Sequence, residues 1–309
     1  MEKKILVAVD GSQQAKAAVA YAVAMSSQVK PLTFTLFHGQ PVVSGFLLDE
    51  AKKDKQAEAA LKTLIRRNAE ASEKLLARYK AQMVRMGVPE RAIDVISRPR
   101  VFGLSKDILD CAQQGLYDAV VVGRRGLSRL QKTLMGSLTA DLVGHCRDVP
   151  LWIVDGGVTS HTFLVAVDGS EASLRAIDHV SFMLGGNPDV TMTLFHVIPR
   201  VGDYCVVDFG HQVKAADTVL ARGDRRCIDN FYGMARHIMK ERELQEDQVE
   251  IKVVKRTVNP GKAIMSEAKK GDYGTVVIGR RGQGRSFFMG SISRYVLDKT
   301  VGRAVWLVS

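Results

Sequence analysis

The chain has 309 residues, 46% of them hydrophobic and 25% charged, an ordinary globular composition that excludes a disordered chain, a collagen or a fibre. At roughly 150 residues per domain this length predicts about two domains, each able to bury a core of its own. Lys and Arg outnumber Asp and Glu by 44 to 33, a net charge of +11 that favours anionic partners, but aromatics are only 6% and do not interleave with basic clusters, so no specific nucleic-acid module is expected.

In chain order, the apolar stretch after the first lysines, Ile5 to Val9, is too short for a signal-peptide core and reads as a first strand. Ser12 is placed to cap an Ala-rich helix over Ala15–Ser26. The longest apolar run, Ala17 to Met25, falls far short of the roughly 20 residues of a membrane span, so a cytoplasmic protein without a membrane span is expected. Leu32–Phe37 predicts a second strand, Glu50–Met86 one long amphipathic helix with a solvated charged face, and Asp94–Ser97 a third strand. A helix over Leu104–Gln114 stops at Gly115, and a strand follows at Ala119–Val122. Ser137–Cys146 forms the next helix and Leu151–Val154 the next strand. The cysteines Cys111, Cys146, Cys205 and Cys227 show no C-x-x-C spacing, so they predict neither a zinc knuckle nor a redox pair.

The second half repeats the first. Ile5–Ser12 (ILVAVDGS) returns as Phe163–Ser170 (FLVAVDGS), and Thr33–His38 (TFTLFH) as Thr191–His196 (TMTLFH). Tyr117–Gly126 (YDAVVVGRRG) returns as Tyr273–Gly282 (YGTVVIGRRG), Met135–Ser137 as Met289–Ser291, and Pro150–Asp155 as Ala304–Ser309. Blocks kept in one order at nearly one offset mean two copies of one globular domain. The expected domains are 1–155 and 161–309, joined by the small, polar linker 156–160. Strand and helix alternate within each copy. The predicted class is therefore α/β: two tandem copies of a five-stranded, parallel, doubly wound, Rossmann-like sheet with helices on both faces.

Ligands of such sheets bind beyond the carboxyl ends of the strands. Asp10-Gly11-Ser12, His38 and Gly123-Arg124-Arg125-Gly126 fall there, the last continuing as G-x2-G-x9-G-S to Gly136-Ser137. Gly123 and Gly126 let backbone amides approach an anion, and Gly136-Ser137 opens a helix whose first N–H groups carry partial positive charge. This is either a phosphate cradle or a plain glycine turn with a capping serine. Arg124-Arg125 and Arg280-Arg281 are phosphate clamps, or one of each pair is a solvated arginine beside the loop. Asp10, Ser12 and His38 do not make a Ser-His-Asp triad, because no G-x-S-x-G elbow presents the serine. No G-x-x-x-x-G-K-[ST] occurs, which excludes a P-loop.

These motifs together resemble a tandem universal stress protein over nearly the full chain: V-D-G-S after strand 1, Phe-His ending strand 2, and G-x2-G-x9-G-S before the last helix and strand. In that family the glycine motif marks the ATP-binding branch. The resemblance implies ATP as ligand, with Mg²⁺ carried on its phosphates. Asp10 would lie on the ribose or adenine side, Ala8 and Val9 would line it, and Gly39 would sit at the adenine edge. Val122, Gly123, Arg125, Gly126, Gly136, Ser137 and Leu138 would surround the phosphates. The second copy would supply Asp168, Val197, Ile278, Gly279, Gly282, Gly290, Ser291 and Ile292. Its loop is shorter, with seven residues between Gly282 and Gly290 against nine between Gly126 and Gly136, so the first copy is expected to be the better site.

The implied function is an adenine-nucleotide-binding regulatory or sensing protein of the stress response, with an unidentified protein partner and no efficient catalysis. A nucleotide-free scaffold and a slow ATPase remain alternatives. Leu151–Val154 and Val305–Val308 are apolar throughout and would leave open sheet edges. The two copies are therefore expected to pair through these strands, with a further homodimer through other surfaces allowed.

Overall fold

A computed structural model describes residues 1–124, 135–199, 229–257, 259–280 and 289–309. It divides into two compact units, Met1–Ser26 with Pro31–Val149, and Ser27–Lys30 with Pro150–Ser309.

The first unit holds strands β1 (Lys3–Ala8), β2 (Leu32–Gln40), β3 (Ile93–Pro99) and β4 (Ala119–Gly123), ordered β3-β2-β1-β4 and all parallel. The chain builds outward from β1 to β3 and then returns to the other side of β1, so the order reverses between β1 and β4. The run Ile5–Val7 and the run Val120–Val121 are fully buried, which is why these strands read as continuous apolar stretches rather than alternating ones. Helix α1 (Gln13–Met25) packs on β1 and β4, and α4 (Leu104–Gln114) on β2 and on α5 (Ser137–His145).

The single long helix expected over Glu50–Met86 is two helices, α2 (Gly45–Ala51) and α3 (Lys55–Arg85). The break has a local cause: Asp54 takes an extended backbone and its carboxylate accepts the Ala57 N–H at 3.0 Å, capping a new helix. Only the C-terminal part of α3 buries side chains, in the stripe Ser72, Leu76, Tyr79 and Met83, against β2 and β3. The three-to-four-residue spacing puts all four on one face.

The second unit orders its strands β5-β10-β9-β6-β7-β8, with β5 (Leu151–Val154), β6 (Phe163–Val167), β7 (Met192–Pro199), β8 (Val249–Thr257), β9 (Thr275–Gly279) and β10 (Ala304–Val308). Neighbours from β10 through β8 are parallel, and β5 runs antiparallel to β10. Trp152 lies opposite Trp306, their rings stacked 4.0 Å apart and neither exposed to solvent. β5, expected to close the first copy, thus lies in the second unit as the partner of β10. Its helices are α6 (Glu171–Leu184), α7 (residues 229–241), α8 (Pro260–Lys270) and α9 (Ser291–Lys299). Among the described residues no helix is long and apolar enough to cross a membrane.

Candidate functional site

The turn after β1 is built by three residues with separate tasks. Asp10 Oδ1 accepts the Ser12 N–H at 3.0 Å, Gly11 takes φ +82°, and Ser12 Oγ accepts the Ala15 N–H at 3.0 Å to cap α1. A left-handed residue between an Asp and a capping Ser favours glycine, because a Cβ there is strained. The turn sets the Asp10 side chain beyond the end of β1, beside the reversal of strand order.

At the end of β4, Gly123 meets the first turn of α1 so closely that a Cβ would stand 2.7 Å from the Gln14 backbone. The Gly123 carbonyl accepts from Thr139 Oγ1 at 3.0 Å, which ties β4 to the first turn of α5. The N–H of Gly136, the N-cap of α5, donates to Arg124 O at 3.0 Å. That amide is therefore not free to face a ligand. The donors that remain are the amides of Ser137, Leu138 and Thr139, which precede the first bond of the helix, from the Ala140 N–H to Gly136 O. No side chain among the described residues caps them. Such an end carries partial positive charge and unfilled N–H donors.

Between Asp10 and the start of α5 lies a small open cleft. Ala8, Val9, Asp10, Gly39, Val122, Gly123 and Leu138 all line it, brought together from β1, β2, β4 and α5. Gly136 and Ser137 stand at the adjoining helix start. Arg125 and Gly126 lie outside the described residues. Arg124 is buried, 2% exposed, and so is its counterpart Arg280, so neither is the solvated arginine that the sequence allowed.

Ser12, which its motif puts at this end of the sheet, also lines the cleft, and five further lining residues escaped sequence reasoning: Ala15, Phe37, Leu104, Ile108 and Thr139. Leu104 and Ile108 read as the ordinary apolar face of an amphipathic helix, and their nearness to Gly39 is a tertiary fact. A Cβ on Gly39 would come within 2.5 Å of Leu104 Cδ1. Thr139 and Ala15 carried a weak signal, since each sits in the first turn of a helix that begins at a motif.

His38 does not join a triad. Its Nδ1 is 2.7 Å from Ser72 Oγ, which accepts from Ser97 Oγ at 2.8 Å, and Ser97 in turn accepts from Gln40 Nε2 at 2.8 Å. Burial pushes the His38 pKa down, the Arg100 charge adds to that, and Asp10 opposes it. His38 is thus held neutral at neutral pH, with its ring fixed to α3 rather than to Ser12.

In the second copy Asp168 follows β6, Val197 lies in β7, and Ile278 and Gly279 end β9. Gly290 is the N-cap of α9, and Ser291 and Ile292 form its first turn. Gly282 lies outside the described residues. Asp168 Oδ1 accepts from both the Ser170 N–H, at 3.1 Å, and Ser173 Oγ, at 2.6 Å.

Residues 1–155 and again 159–301 match the model of the Universal stress protein family. The chain belongs to the universal stress protein family. It carries two domains of that family in tandem. Among solved structures, a universal stress protein from Archaeoglobus fulgidus DSM 4304 covers 99% of this chain and 98% of its own, at 17% identity and a TM-score of 0.66. The protein PA1789 of Pseudomonas aeruginosa PAO1 covers 99% of this chain and 92% of its own, at 17% identity and a TM-score of 0.57. At such identities the likeness is one of fold: the α/β architecture of the family runs through the whole chain.

Proposed function

We propose that this universal stress protein binds an adenine nucleotide in its first domain and uses the bound state to regulate a protein partner in the cytoplasmic stress response, without efficient turnover. The observation that carries this reading is the cleft at the β1/β4 reversal, with a carboxylate at one end and an uncapped helix start at the other. A nucleotide has matching ends, a diol that donates hydrogen bonds and phosphates that accept them. Asp10 accepts only the Ser12 N–H among the described residues, which leaves carboxylate oxygen for ribose hydroxyls. Ala8, Val9 and Gly39 offer an apolar slot for the base. Val122, Gly123 and Leu138 line the way to the Ser137, Leu138 and Thr139 amides, which fit an anionic phosphate. Mg²⁺, when bound, would ride on the phosphates and offset their charge.

The test is Gly136→Asp in the full chain. Gly136 has φ −61° and ψ 152°, a backbone that any residue adopts, and an N-cap Asp turns its own carboxylate onto the helix amides. The variant should fold as well as the wild type or better, yet lose phosphate donors. Two charge-assisted hydrogen bonds lost correspond to roughly a hundredfold or more in ATP affinity. Gly136→Ala brings no competing carboxylate and should bind nearly normally. Calorimetry with Mg-ATP, and extraction of nucleotide from protein purified without added ligand, measure both; unchanged affinity in a folded Gly136→Asp protein would remove the phosphate end of the reading.

A further inference from the structure

This inference rests on the nucleotide reading of the first cleft and concerns what holds Asp10 there. The two copies begin their last helices alike: Gly136 N–H donates to Arg124 O and Gly290 N–H to Arg280 O, each at 3.0 Å. They differ around the carboxylate that follows the first strand of each copy. In the second copy a serine of the next helix serves it. Ser173 Oγ donates to Asp168 Oδ1 at 2.6 Å and accepts the Asp168 N–H at 3.1 Å. The first copy has Ala15 at that position, so Asp10 receives no such bond.

A different hydroxyl faces Asp10, from α3. That helix packs on α1 and on the turn before it: a Cβ on Gly11 would stand 3.6 Å from Leu75 Cδ1. Aromatic side chains in a helix lean towards its N-terminus, over the residue four positions earlier. Tyr79 therefore leans over Leu75 towards Asp10-Gly11. It is 3% exposed, and its hydroxyl is buried with no hydrogen-bond partner among the described residues. Burial pushes its pKa up, the Asp10 charge adds to that, and the Arg78 charge and the Gly11 N–H oppose it. The hydroxyl thus keeps its proton at neutral pH and meets the turn as a donor. Tyr79 is not among the residues that line the cleft, so its reach to a ligand runs through Asp10.

In the second copy α7 corresponds to α3. Buried Met83 matches buried Met239, and Gly87 matches Glu243, at φ +96° and +60° just past the two helices. Tyr79 then corresponds to Ala235. Each copy carries one hydroxyl for its carboxylate, on different helices: Ser173 with Ala235 in one, Tyr79 with Ala15 in the other. A buried hydroxyl without a partner costs stability, and a ligand that orders Asp10 gives this one a use.

We propose that Tyr79 is a positioning residue of the first cleft: when a ribose diol engages Asp10, the Tyr79 hydroxyl donates to the same carboxylate and fixes its remaining oxygen towards the ligand, as Ser173 fixes Asp168. The bond forms in the bound state, so it adds to affinity and not to the stability of the free protein.

Calorimetric titration of the full chain with Mg-ATP, alongside urea unfolding without ligand, tests this. The site that Gly136→Asp removes is the one to follow. Tyr79→Phe keeps the ring and deletes only the hydroxyl. It should leave the unfolding midpoint unchanged or raise it, and weaken ATP at the first site by roughly tenfold. Ala15→Ser added to Tyr79→Phe supplies the second copy's hydroxyl and should restore most of that affinity. In an Asp10→Asn background Tyr79→Phe should cost nothing further, because the partner of the hydroxyl is gone. A wild type that binds no ATP overturns the nucleotide reading and this inference together. Undiminished affinity in Tyr79→Phe, a loss that Ala15→Ser fails to restore, or a lowered unfolding midpoint overturns this inference alone and leaves the reading of the first cleft standing.

Discussion

His179 shows how much a single buried residue can decide. It lies on α6, its Nε2 accepts the Trp152 indole N–H at 3.1 Å, and burial pushes its pKa down to about 3. In the unfolded chain the ring titrates near 6.5. Between those values the unfolded chain holds a proton that the folded chain does not, so stability is full above pH 6.5 and falls as the pH drops towards 3. The expected slope is about 1.4 kcal/mol per pH unit from this residue alone. Urea unfolding midpoints between pH 7 and pH 4 should fall less steeply in His179→Gln, which keeps an acceptor for Trp152 but no titrating ring; identical slopes would mean that other groups dominate. Gly123 is decisive in another way. Ala at this position would push a methyl group against the Gln14 backbone, which cannot swing aside as a side-chain tip can. Gly123→Ala should cost about 1–3 kcal/mol, seen as a lower unfolding midpoint, and should deform the cleft it lines.

Among the elements, α3 is the one whose limits were misread from sequence and whose capping is most open to test. Its charged, periodic run through Glu50–Met86 carried one helical signal, and nothing in the periodicity marks Lys52–Asp54 as a break. The marker is Asp54, an N-cap type inside a helix-like run. Asp54→Ala should cost about 1 kcal/mol, and it should fray the exposed first turns, observable as faster amide exchange near Ala57 with Leu76 and Met83 unaffected. α4 was the opposite case. Its limits, Leu104–Gln114, match expectation residue for residue, because Gly115 ends it and its apolar face is regular. Yet its part in the cleft was invisible, since a buried Ile108 looks the same whether it faces a core or a ligand.

At the scale of the whole molecule, β5 matters most. It closes the first repeat in sequence, and in space it pairs with β10, all four of its residues buried. A fragment of residues 1–155 would keep β5 and lose β10, leaving an apolar strand with an open edge. Such a fragment should self-associate through β5, and sedimentation should find a dimer; a well-folded monomer would show that another surface covers the strand. Trp152→Ala in the full chain removes one ring of the stacked pair with Trp306 and the donor to His179. A loss of about 3–5 kcal/mol is expected, read from chemical unfolding.

The duplication, the alternation of strand and helix, the parallel sheets and the glycine motifs were legible in the chain itself, because they rest on local periodicity, turn chemistry and close internal repetition. Asp10, Gly123 and the start of α5 could be placed at one end of a sheet by topology alone. What only the tertiary structure decided were relations between residues distant in sequence: Leu104 against Gly39, the Gly136 amide spent on Arg124 O, His38 held by Ser72, and β5 against β10. The one difference between the copies that stands out in sequence, the loop length, leaves the loop ends unchanged. The quieter change from Ala15 to Ser173 sets a hydroxyl 2.6 Å from Asp168 Oδ1; the worth of a hydroxyl depends on what stands within 3 Å of it, and sequence spacing does not report that distance.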